Sequence, residues 1–134
     1  MITAEDPMNI FRPPSILCID DDESSLKIRK LLLEVSGYKV FTAVSGVEGI
    51  RALAEGVAVD LVLLDYLMPG LNGDEVAKQL KHSHPSLPIL MFSAFPELPD
   101  EALQSVDFFL QKGDDPTILL DRVAEMVKSR RQNN

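Results

Sequence analysis

The sequence predicts an α/β fold, a doubly wound parallel sheet of five strands with helices on both faces. Three observations predict it. Short apolar runs alternate with segments whose apolar residues recur at helical spacing. One run, "DLVLLD" at 60–65, is apolar throughout, as a strand buried on both faces must be. The runs also end in polar or charged residues, at the edge where open parallel sheets carry their sites.

In chain order, residues 1–14 are expected to be an irregular lead-in, closed by Pro13 and Pro14, which disfavour helix before the first strand. "SILCID" reads as a buried strand. Ile28, Leu31, Leu32 and Val35 fall at i, i+3, i+4 and i+7 and predict an amphipathic helix, its apolar stripe turned to the core and its end set by Gly37. "YKVFTA" is the second strand. Ser45 and Glu48 fit a capping box opening a helix that turns Val47, Ile50 and Leu53 inward. After "DLVLLD", Pro69-Gly70 and Asn72-Gly73 break the chain, and a short helix follows around Val76, Ala77 and Leu80. "PILMFSA" and "VDFFLQK" are the fourth and fifth strands, joined by right-handed crossovers. Asp115 as N-cap and Pro116 at N1 open a last helix bearing Leu119, Leu120, Val123 and Met126. The basic, polar end over 129–134 is expected to fray.

A chain of 134 residues, 46% hydrophobic and 25% charged, has the size and composition of one globular domain. A net charge of −8 argues against nucleic acid or an anionic membrane as a direct partner. The apolar stretches are too short, and too often broken by aspartate, to cross a bilayer. "MITAEDPMNIFRPP" lacks the basic-then-apolar pattern of an export signal, so a cytoplasmic location is expected. Cys18, in the middle of a strand, reads as a buried structural thiol.

The strand ends carry the chemistry. Strand one ends in Asp20, Asp21 and Asp22, strand three in Asp65, strand four in Ser93 and strand five in Lys112, whereas strand two offers only Thr42 to Ser45. Two aspartates about 4 Å apart repel by roughly 4 kcal/mol in a protein-like dielectric, so the cluster needs compensation. Oxygen donors without His or Cys suit a hard cation, Mg²⁺ or Mn²⁺. Lys112 can neutralise a further carboxylate. Alone, Asp22 would be read as a helix cap and Ser93 as a turn residue; the position of Ser93 beside the cluster reverses that reading.

The segments "ILCIDDDE", "LVLLDYLMPGLNG", "PILMFSA" and "FFLQK" together resemble receiver domains of two-component response regulators, over residues 15 to about 128. The resemblance implies a flavodoxin-like sheet of order 2-1-3-4-5. It implies that Asp65 is the phosphoacceptor, taking a phosphoryl group from the phosphohistidine of a sensor histidine kinase or phosphotransfer protein. Asp21, Asp65 and the Leu67 carbonyl would hold Mg²⁺, with Asp20 acting through water and Asp22 left as a cap. Ser93 and Lys112 would contact phosphoryl oxygens, and Phe109 stands where the family carries a rotamer switch. The product would be a signal read by a downstream protein partner, not the metabolite of an enzyme, from a monomer or weak homodimer.

Three features depart from the family pattern. Gly113 follows Lys112 where a proline, often cis, is usual; a Lys-Gly bond is trans by default, so Lys112 is expected to be aimed differently. The interval from Ser93 to Lys112 is short and holds Pro96 and Pro99, which shrinks the fourth helix to about Asp100–Ser105 and makes the partner surface unusual. Leu67 and Phe95 place apolar bulk beside the phosphate, so a long-lived phosphorylated state is expected, which a half-life no longer than that of ordinary receivers would reject. Plain packing of those two side chains against loop neighbours is the alternative.

Other functions compete. A haloacid-dehalogenase-like phosphatase wants Asp-x-Asp after its strand, but Tyr66 and Leu67 follow Asp65. A flavin-binding module wants a neutral phosphate cradle, not an acidic first loop. A receiver-like adaptor that binds partners without phosphorylation is favoured only by Gly113. With no output domain after residue 128, the expectation is either a stand-alone receiver or a piece of something longer.

Overall fold

The computed structural model describes residues 12–113 and 115–132. The expected irregular lead-in therefore lies outside the described residues as far as residue 11. The apolar runs form β1 (Ser15–Ile19), β2 (Lys39–Ala43), β3 (Leu61–Leu64), β4 (Ile89–Ser93) and β5 (Phe108–Gln111). Between them lie α1 (Glu23–Val35), α2 (Gly46–Ala54), α3 (Gly73–Ser83), α4 (Asp100–Leu103) and α5 (Pro116–Gln132). All strand pairs are parallel, in the order β2-β1-β3-β4-β5.

Alternation along β1 builds a core on each face of the sheet. Leu17 and Ile19 point to the side of α2 and α3, where they meet Leu53, Val76 and Leu80. Ile16 and Cys18 point to the side of α1 and α5, against Leu33, Val123 and Met126. Each fully buried leucine or isoleucine contributes about 1.5–3 kcal/mol from leaving water. Burial pushes the Cys18 thiol up to about 12, which makes it the inert packing group expected.

Two helix faces differ from the sequence reading. On α1 the sheet-facing residues are Leu26, Arg29 and Leu33, while Ile28, Leu31 and Val35 are 71%, 64% and 79% exposed. On α2, Val47 is exposed, while Ile50 packs on the core as expected and the buried face is Gly46, Gly49 and Leu53. The glycines allow close approach: a Cβ at Gly49 would overlap the Ile19 side chain, and one at Gly46 would overlap Val76. The short α4 is as expected, a single turn after Pro99.

The last helix outruns its expected boundary at 128 and continues through Gln132. Arg130 Nη1 donates to the Ser86 carbonyl at 2.8 Å and Arg131 pairs with Asp60 at 3.3 Å, so residues 129–132 of the segment expected to fray are helical and tied to the sheet's lower edge, while 133 and 134 lie outside the described residues.

Candidate functional site

The carboxyl ends of β1, β3, β4 and β5 are held at one level by backbone bonds. Asp20 N donates to the Ala43 carbonyl at 3.1 Å, Asp65 N to Ile19 at 3.0 Å and Lys112 N to Ser93 at 2.7 Å. The residues following each strand therefore meet. Asp20, Asp21 and Asp65 present carboxylate oxygens that all lie within 4.8 Å of one another. Lys112 Nζ bridges two of them, 2.8 Å from Asp20 Oδ2 and 3.2 Å from Asp65 Oδ1.

Asp22 takes no part in the cluster. It is the N-cap of α1, accepting from the Ser24 and Ser25 backbone N–H groups, which its type and position predict. Its own N–H donates to Asp20 Oδ1 at 3.0 Å. Asp20 is buried at 1% exposure, whereas Asp21 faces solvent and leaves the cluster open to entry. The loop after Asp65 closes through a bond from Gly73 N to the Tyr66 carbonyl at 2.6 Å. A side chain at position 73 would strike the Asp65 backbone, so glycine is required there.

The two inner carboxyls titrate in opposite directions. Burial alone would raise Asp20, but the Lys112 hydrogen bond, the Asp22 N–H and the charges of Lys112 and Arg29 outweigh it and hold it below the usual carboxylate value. Asp65 sits above that value, because its burial and the neighbouring Asp20 charge outweigh the pull of Lys112. Among the described residues, three carboxylates thus face two cations, and the pocket keeps surplus negative charge.

The other predicted residues fall into four groups. Ser93 is buried beside the cluster, and its Oγ accepts the Phe95 N–H at 3.2 Å. Phe109 is half-buried on the α2–α3 face of the sheet, in register with Met91 and packed on that core. Leu67 and Phe95 stay 58% and 43% exposed on the rim, with the Phe95 ring edge-on to Tyr66 at 6.3 Å. Gly113 turns the chain at φ +96°, no described peptide bond is cis, and the Lys112 ammonium nonetheless reaches both aspartates.

Sequence reasoning missed Arg29. It lies inside the sheet-facing stripe of α1, 3.2 Å from Asp20 Oδ2 and stacked on Phe92 at 5.0 Å. An arginine between Leu26 and Leu33 at i+3 and i+7 is the signal that was present.

The donor set fits a hard divalent cation: carboxylate oxygens only, converging, with one member open to solvent. A doubly wound sheet with such a pocket at its carboxyl edge, facing a lysine from the last strand, defines the class of acidic-pocket receiver modules. Residues 16–124 match the response regulator receiver domain, and the chain belongs to that family.

Among curated proteins, the alkaline phosphatase synthesis transcriptional regulatory protein PhoP of Bacillus subtilis is 43% identical over 88 residues, covering 66% of this chain and 36% of that protein. The transcriptional regulatory protein GlrR of Escherichia coli is 32% identical over 120 residues, covering 87% of this chain and 27% of its own. This chain thus spans only about a third of the length of such relatives. Among solved structures, a CheY-like receiver domain protein of Methanospirillum hungatei superimposes with a TM-score of 0.85 at 26% identity, over 91% of this chain and 99% of that one. The response regulator TrrA of Thermotoga maritima, solved in complex with Mg²⁺ and BeF, gives a TM-score of 0.80 at 27% identity, covering 84% and 98%. No described helix is long and apolar enough to cross a membrane.

Proposed function

We propose that this receiver domain is a phosphorylatable switch whose acceptor is Asp65. The observation that carries the reading is the shared pocket: Asp65 lies beside Asp20 and Asp21 and under the Lys112 ammonium, with more negative charge than the protein neutralises. Asp21, Asp65 and the Leu67 carbonyl would hold Mg²⁺, or Mn²⁺, with Asp20 acting through water. When bound, the cation supplies positive charge for the incoming phosphoryl oxygens.

An Asp65 oxygen attacks phosphorus, the P–N bond to the donor histidine breaks, and its electron pair returns to the imidazole. Lys112 turns from the aspartates to a phosphoryl oxygen, and the Ser93 hydroxyl donates to another. The acyl phosphate replaces a carboxylate with a larger dianionic group. That change draws Ser93 and its loop inward and biases the half-buried Phe109, two strand positions behind the Gln111 partner of Ser93. With α4 only four residues long, the surface that reads the change is loop and β5 more than helix.

The donor, a sensor histidine kinase or phosphotransfer protein, docks on the α1–α5 side. There Ile28, Leu32, Phe92, Leu110, Ile118 and Leu119 line a groove of about 200 Å³ beside the pocket. The exposed stripe of α1 continues it.

Incubation with acetyl phosphate, with and without Mg²⁺, tests this by intact mass. The expected result is one added phosphoryl group that requires both the cation and Asp65, absent in Asp65→Asn. No incorporation while Mg²⁺ still binds would overturn it and leave an adaptor that signals by binding alone.

A further inference from the structure

Asp20 is the innermost carboxylate of the pocket, and the protein itself engages both of its oxygens. Oδ1 accepts the Asp22 N–H, and Oδ2 accepts from Lys112 and from Arg29. The two cations reach the same oxygen from different places. Lys112 is 23% exposed at the side chain and also touches Asp65, so it can turn toward the pocket mouth. Arg29 comes from beneath, 9% exposed, between Leu26 and Leu33 on the buried face of α1. Its guanidinium lies over the Phe92 ring at 5.0 Å, and the Lys112 ammonium lies 5.9 Å from the same ring. Burying a guanidinium is costly unless it is paired and stacked, as this one is. A helix facing a hydrophobic sheet would fill that position with leucine unless the charge had a use.

We propose that Arg29 is a positioning residue that acts through Asp20: it stays on that carboxylate as a standing counter-charge while Lys112 leaves for the phosphoryl group, and it holds down the affinity of the pocket for the divalent cation. This rests on the reading of the aspartates as a Mg²⁺ site and of Asp65 as the acceptor. Two consequences have opposite sign. Without the Arg29 charge the surplus negative charge of the pocket rises, so a divalent cation binds more tightly. Transfer at saturating cation slows, because Lys112 is then the one cationic partner left to Asp20 among the described residues and leaves it less readily. A residue that merely filled space would not tighten metal binding when removed.

Calorimetric titration of the full chain with Mg²⁺, for the native protein, Arg29→Met and Arg29→Lys, reads the first consequence. Acetyl phosphate incorporation by intact mass at saturating Mg²⁺ reads the second. Arg29→Met is expected to bind Mg²⁺ at least roughly tenfold tighter, a lower bound on the effect of one unit charge near the site in a protein-like dielectric. It is expected to accept phosphoryl groups roughly tenfold more slowly, the scale at which a single positioned charge affects a barrier. Arg29→Lys should stay close to the native protein in both. If Arg29→Met loses its circular dichroism signature, Arg29→Gln, which keeps an amide donor for Asp20 and drops the charge, carries the same comparison.

Unchanged or weaker Mg²⁺ binding in the neutral variants overturns the proposal. No Mg²⁺ binding in any variant overturns both the proposal and the metal reading. Mg²⁺ binding without phosphoryl incorporation in the native protein overturns the acceptor reading alone, and the affinity comparison still judges Arg29.

Discussion

The two edges of the sheet carry the same residue types and use them differently. At the amino edge, Asp60 immediately precedes β3 and Asp107 immediately precedes β5. Each accepts the first N–H of a neighbouring strand, Ser15 at 2.9 Å and Ile89 at 2.7 Å. Each also has its own cations, Arg130 and Arg131 for Asp60 and Lys81 for Asp107. At the carboxyl edge the aspartates follow their strands, converge on one another and share Lys112 and Arg29. Acid–base pairs that balance act as clamps; carboxylates that crowd beyond their cations leave charge for something from outside. The sheet polarity separates the two, because residues following parallel strands meet at one edge and those preceding them meet at the other.

The sharpest way to break the comparison is to remove one cation or carboxylate from each edge. Lys112→Met should slow phosphoryl incorporation at least about a hundredfold, the scale of losing a charge aimed at the developing transition state, with little change in melting temperature at saturating Mg²⁺, where the cation would offset the lost counter-charge. Asp107→Ala should do the reverse. Incorporation stays near normal, while stability falls by about 1–3 kcal/mol, because the Ile89 N–H and Lys81 lose their shared acceptor. Thermal melting beside intact-mass kinetics reads both, and equal effects on stability would erase the distinction.

A smaller effect concerns pH. Asp65 is raised above its ordinary value by burial and by Asp20, so its folded form holds the proton more tightly than the unfolded chain does. Its contribution is complete below the unfolded pKa and is lost as pH rises through the folded one, leaving a penalty at neutral pH. Asp65→Asn should therefore melt higher than the native protein at pH 7 without Mg²⁺. The gain should vanish once the pH drops below the ordinary carboxylate range. An equal gain at low pH would mean that packing, not charge, is responsible.

How much of this was legible in the sequence depends on whether the signal was local. The strands were legible because buried parallel strands must be apolar, and the pocket because polar residues ending such runs have few other reasons to be there. The cap by Asp22 and the single-turn α4 after Pro99 were legible for the same reason. The face of α1 was not. Two stripes compete on that helix, and the one with more leucine and isoleucine at helical spacing, through Ile28, Leu31 and Val35, faces outward. The inward stripe is interrupted by Arg29, which makes sense only once Asp20 lies above it. Val47 failed because α2 approaches the sheet through glycines, which carry no hydrophobic signal. The end of α5 is held by Ser86 and Asp60, 44 and 71 residues away, and no local pattern announces partners at that separation.

The most direct test of the central contrast is a map of backbone amide shifts during a Mg²⁺ titration; the chain has no tryptophan to report it by fluorescence. The expected result is movement of the amides of Asp20 to Asp22, Asp65 to Met68, Ser93 and Lys112, with the Ser15 and Ile89 amides unmoved on Asp60 and Asp107. Shifts of equal size at Ser15 and Ile89, or none around Asp65, would contradict the assignment of the carboxyl edge as the site.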